Sequence, residues 1–157
     1  MTRLRHIYLA IKLLPVLFIH HQARSWLGEM RQFCRELPAV LKQPLPLALA
    51  QIEPPANHIT LAEPSEQRMR ELADLAALLE RRSPLGLCLR RSLVRYHFLR
   101  PLGVPVVIQF GARLLGEEAD RDLAGHAWLS CNGRPYHEAE ENWRNFTVML
   151  RWPADPV

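Results

Sequence analysis

The chain has 157 residues, of which 48% are apolar and 23% charged, the length of one domain with enough apolar side chain for a real core. Disorder and a disulfide-stapled miniprotein are excluded on that ground. The three cysteines, Cys34, Cys88 and Cys131, form neither a disulfide framework nor the C-x-x-C pair of a closed zinc site, which fits a reducing, cytoplasmic setting. The net charge of +4 comes almost wholly from arginine, since Lys12 and Lys42 are the only lysines. It is too small to mark a nucleic-acid binder, but it is unevenly spread, at +5 over residues 1–50, −2 over 51–87, +5 over 88–115 and −4 over 116–157.

Residues 7–19 are the most apolar stretch, yet Lys12 and Pro15 interrupt them and they fall short of the ~20 residues that cross a bilayer. His20, His21, Gln22 and Arg24 stand where a secretory signal would carry its small-residue cleavage site. Residues 4–19 are therefore expected to dock on their own domain, on a partner, or peripherally on a membrane surface. A second helical stripe runs through Trp26, Met30, Phe33 and Leu37. Residues 1–42 read as an N-terminal helical arm. Five prolines, Pro44, Pro46, Pro54, Pro55 and Pro64, mark residues 43–64 as a connector, with a short strand at 58–62. Residues 65–157 read as the main unit. Ser65 is placed to cap a helix with the stripe Met69, Leu72, Leu75, Ala76 and Leu79, ending at Arg81 and Arg82 before Ser83-Pro84-Leu85-Gly86 breaks it.

A further helix begins at Leu87, with Leu89, Leu93, Tyr96 and Leu99 on one side, and ends at Pro101 and Gly103. Residues 104–110 are a β-branched run suited to a buried strand, residues 116–122 a charged loop, and residues 124–130 a second strand. Asn132-Gly133 signals a turn into a returning strand over 134–138. Helices followed by a small antiparallel sheet give an α+β order.

Cys88 falls in the first turn of its helix, where unpaired backbone N–H groups and the helix dipole favour the nucleophilic thiolate, and Arg90 and Arg91 act in the same sense. Read alone, a cysteine in an amphipathic helix is more often a small core residue. His126, in Gly125-His126-Ala127-Trp128, is the candidate base, sharing a strand face with Trp128 and Ser130. Which carboxylate orients it depends on the hairpin. A two-residue loop at Asn132-Gly133 sets His126 opposite Ala139, whereas a three-residue loop over 131–133 sets it opposite Glu138. Gly133 suits the left-handed position of the longer loop, so the reading favours Glu138, with Glu140 in reserve on the same face. No cofactor or metal is expected. Gln109 is a polar residue in an apolar strand and a candidate second oxyanion donor beside the Cys88 N–H.

Cys88-Leu89-Arg90-Arg91-Ser92-Leu93, then Leu102-Gly103-Val104-Pro105, then Gly125-His126-Ala127-Trp128 with Asn132-Gly133-Arg134-Pro135, resemble the lasso-peptide leader peptidases (B protein, protease part) of the transglutaminase-like cysteine protease superfamily. The resemblance implies a papain-like core with its nucleophile at a helix N-terminus packed on a small antiparallel sheet. Cys88 takes the place of the nucleophile and His126 that of the base. Glu138 stands where the family usually has an aspartate. The implied activity is removal of the leader from a ribosomally made precursor before an ATP-dependent cyclase closes the macrolactam. The implied partners are the precursor peptide, that cyclase and a separate leader-recognition protein, since residues 1–64 leave no room for a winged-helix-like recognition domain. A transamidase using the same three residues, or a noncatalytic peptide-binding module, is the alternative.

Overall fold

A computed structural model describes residues 3–54, 65–116 and 122–153. Two helices open the chain, α1 (Arg3–Ile19) and α2 (His21–Val40), followed by α3 (Leu45–Ile52). The expected connector therefore contains a helix. Its prolines permit one because Pro44 is the N-cap and Pro46 lies in the first turn, where the missing N–H has no intrahelical acceptor. The strand expected at 58–62 lies outside the described residues.

Helices α4 (Glu66–Leu79) and α5 (Leu87–Leu99) are the centre of the molecule. Ser65 caps α4 as its sequence predicts, its side chain accepting from the Arg68 N–H at 3.3 Å. The helix stops at Leu79, before the arginine pair. Arg90, itself buried, closes this end instead by donating through Nη2 to the Ala77 carbonyl at 3.1 Å and through Nη1 to the Leu85 carbonyl. Carbonyls in the last turn of a helix lack intrahelical donors, so a buried guanidinium there meets an existing need. Arg95 ties the two helices together with 2.6 Å bonds from Nε and Nη2 to the two carboxylate oxygens of Asp74.

After a short 3₁₀ turn, Arg100–Leu102, the chain forms β1 (Val106–Leu115), β2 (Asp122–Cys131), β3 (Arg134–Pro135), the single-turn helix α6 (Glu140–Trp143) and β4 (Thr147–Trp152). The sheet is antiparallel in the order β3-β2-β1-β4. Val106, Ile108 and Leu129 turn one sheet face onto Leu93, Val94, Tyr96 and Leu99 of α5, and Met69, Leu72 and Ala76 of α4 continue the same cluster. Met30, Cys34 and Leu37 of α2 and Leu13 of α1 join it, so the N-terminal helices complete this core through one face. Each such leucine contributes roughly 1.5–3 kcal/mol by leaving water. Among the described residues, no helix is long and apolar enough to cross a membrane. Helices followed by a four-stranded antiparallel sheet make the fold α+β.

Two features of the hairpin differ from the sequence reading. Cys131 pairs with Arg134 and Ser130 with Pro135, so the loop is the two-residue Asn132-Gly133 turn and not the three-residue one. Asn132 at φ 51° and Gly133 at φ 75° are both left-handed, the pattern of a type I′ turn that matches strand twist. The returning strand is also short, ending at Pro135. Tyr136 adds one further bond, from its N–H to the Leu129 carbonyl at 2.8 Å, and His137 at φ 49° then turns the chain away.

Candidate active site

Side-chain bonds tie α5 to β2 and to the segment that leads into α6. Cys88 is the second residue of α5, half-buried, behind an N-cap, Gly86, that has no side chain to offer. The first-turn N–H groups of α5 therefore receive no side-chain cap and remain available to an oxyanion. One turn further along the same helix face, the Ser92 hydroxyl donates to the Ala127 carbonyl of β2 at 2.9 Å. His126 is the preceding residue of that strand.

His126 pairs with Gly111 across β1 and β2. Its ring stacks on Trp128 at 5.6 Å and 18° and lies 5.2 Å from the Phe146 ring. Gly111 makes this clamp possible, because a Cβ there would sit 2.7 Å from the Trp128 ring and 3.0 Å from the Phe146 Cβ. The Arg113 guanidinium lies 4.7 Å over the Phe146 ring. Burial pushes the proton affinity of His126 below the ordinary histidine range. Glu138 opposes that shift, and Arg91 and Arg113 reinforce it. The His126 Nε2 is buried with no hydrogen-bond partner among the described residues.

The sequence reading brought Glu138 to His126 through a hairpin register that does not form. Glu138 instead reaches the site because His137 turns the chain after Tyr136 and α6 follows at once. Its carboxylate is almost fully enclosed, 3% exposed, and forms an ion pair with Arg91 of α5 while accepting from Asn142 Nδ2 at 2.6 Å. It acts on His126 through its field, with both oxygens already engaged. Glu140 begins α6, is 67% exposed and pairs with Arg144 at 3.5 Å, so it faces solvent.

Arg91 and Asn142 are the participants that sequence reasoning missed in these roles. Arg91 carried a signal, being one turn beyond Cys88, but its partner is 47 residues away. Gln109 donates from its amide to Ser130 Oγ at 2.7 Å, on the sheet face that also carries His126 and Trp128, opposite the core face of Val106, Ile108 and Leu129. Among the described residues no group of three or more His, Cys, Asp or Glu side chains is placed to hold a metal ion.

Helix α5, with a thiol in its first turn, is thus bonded through Ser92 to the strand of His126 and through Arg91 to the enclosed Glu138 carboxylate, on an α+β scaffold. Residues 39–151 match the family model of the transglutaminase-like superfamily, and the chain belongs to that superfamily. Its fold is commonly enzymatic, with cysteine-protease or acyl-transfer chemistry. No curated protein and no solved structure matches the chain.

Proposed function

We propose that this protein is a cysteine peptidase that removes the leader from a ribosomally synthesised, lasso-type precursor peptide. The observation that carries this reading is the double tie between α5 and the base. Ser92 bonds to the residue after His126 and Arg91 to Glu138, so the helix that bears Cys88 is held to the strand of the proposed base and to the proposed acid. The Cys88 sulfur attacks the carbonyl of the last leader residue, and its proton passes to His126. The oxygen of the tetrahedral intermediate accepts from the Cys88 N–H at the start of α5. His126 then protonates the departing amine, which becomes the N-terminus of the core peptide, and a thioester remains on Cys88. Water, deprotonated by His126, cleaves that thioester and frees the leader carboxylate. Glu138 stabilises the imidazolium formed in both halves.

The freed α-amine is the nucleophile that an ATP-dependent cyclase would join to a side-chain carboxylate, so the reaction supplies that enzyme. Leader recognition is assigned to a separate protein. The experiment that tests the reading is mass analysis of both products from purified enzyme, precursor and leader-binding partner. Peptidase action gives a leader ending in a free carboxylate. A leader joined to an added amine would make the protein a transamidase with the same three residues.

A further inference from the structure

Helix α1 is apolar on two faces. Leu9, Leu13, Val16 and Leu17 pack toward the core, and Lys12 between them pairs with Glu71 of α4 at 2.5 Å. The opposite face carries Tyr8, Ile11, Leu14, Phe18 and Ile19, which are 68%, 61%, 48%, 77% and 75% exposed. At 100° per residue these five fall within an arc of roughly 140°, so they form one stripe along the helix and not scattered surface residues. A soluble domain seldom leaves such a stripe in water without use for it.

The charge around the stripe selects its occupant. Arg3, Arg5, Lys12 and Arg24 all precede Glu29, which is the first acidic residue of the chain. Lys12 is matched by Glu71, and Arg24 closes the end of α1 by donating to the Leu17 and Phe18 carbonyls at 2.7 and 3.1 Å. The arginines at positions 3 and 5 precede Tyr8 in the first turns of α1. An apolar strip in a stretch of sequence, residues 1–28, that holds four basic and no acidic residues complements a surface that is apolar beneath and anionic above, which is the headgroup region of an acidic bilayer. At 17 residues, with its other face committed to the core, the helix lies on such a surface and does not span it. The family match covers residues 39–151, so α1 lies outside the matched residues.

We propose that α1 is an interfacial anchor that seats the enzyme on anionic lipid through Tyr8, Ile11, Leu14, Phe18 and Ile19, with Arg3 and Arg5 supplying the electrostatic attraction. The full chain is tested by co-sedimentation with vesicles of phosphatidylcholine containing about 30% phosphatidylglycerol, against vesicles of phosphatidylcholine alone. Binding is expected to the anionic vesicles, weakening with added salt, and to drop about tenfold in an Ile11→Glu, Phe18→Glu double variant. Arg3→Gln, Arg5→Gln is expected to weaken it while leaving the apolar stripe intact. Both positions of the first variant are exposed, so an unchanged far-UV spectrum and melting temperature confirm that folding is preserved. Equal sedimentation with and without anionic lipid overturns the proposal. So does a concentration-dependent dimer that the double variant abolishes, because the stripe then covers a second copy of the chain.

Discussion

The Ser92 hydroxyl donates a 2.9 Å hydrogen bond to the Ala127 carbonyl, both groups buried, and so ties α5, one turn past Cys88, to β2 beside His126. Ser92→Ala leaves that carbonyl unpaired, at a cost of about 1–3 kcal/mol. At this chain length that lowers Tm by about 2–4 °C for each kcal/mol. The variant is expected to lose kcat with little change in KM, because the bond orients reacting groups and touches no substrate. Thermal melts and steady-state cleavage assays check both. A variant with native Tm and native kcat would show that the bond does not set the geometry.

Arg91 and Glu138 form an ion pair with side chains only 9% and 3% exposed. Arg91→Ala strands a buried carboxylate and is expected to destabilise the fold by about 3–5 kcal/mol. Glu138→Gln, which keeps the shape and can still meet Asn142, is expected to fold and to cleave more slowly than wild type. Glu140→Gln, at an exposed position, should cleave at the wild-type rate. The reverse order in a side-by-side rate assay would transfer the orienting role to Glu140.

The acid side of the pH–rate profile reports His126. Its proton affinity is lowered by burial and raised by Glu138, so the half-maximal point is expected below the ordinary histidine value of about 6.5. Glu138→Gln removes the one raising contribution and should move this limb to still lower pH. Stability follows the same sign. His126, His97 and His137 are all lowered, chiefly by burial, so below about pH 6.5 the unfolded chain binds more protons and stability falls on acidification. A limb that moved upward in Glu138→Gln would contradict the field assigned to that carboxylate.

Much of this fold is legible in local sequence. The Ser65 cap, the Ser83–Gly86 break and the start of α5 follow from side chains acting on their own backbone. The strand centres follow from their β-branched runs, although β1 begins at Val106 and runs on to Leu115. The path from Asn132 to Asn142 was not legible. Two hairpin loops fit Asn-Gly, and the choice rests on whether Asn132 takes a positive φ to suit strand twist, which is a property of the assembled sheet. The positive φ at His137 and the pairing of Arg91 with Glu138 likewise follow from long-range packing. Cys88 and His126 could be named because each carries a local signal, a helix start and a strand bounded by small residues. Glu138 reached the site by a route the sequence did not show.

The three thiols differ in environment. Cys34 is fully buried, and burial pushes its pKa up to about 12. Cys131 is raised by burial and then by Glu66. Cys88, half-exposed at the uncapped start of α5, is expected to react first with iodoacetamide near neutral pH, with activity lost in step. Peptide mapping of partly alkylated protein checks the order. Modification of Cys131 ahead of Cys88 with activity retained would contradict it.

The claim that Cys88 is the nucleophile and His126 its base is tested most directly by intact-mass analysis of the precursor peptide after incubation with wild-type, Cys88→Ala and His126→Ala protein, each with the leader-binding partner. The wild type is expected to yield separate leader and core peptides, and both variants, with native far-UV spectra, to leave the precursor whole. Complete leader removal by folded Cys88→Ala protein would contradict the account.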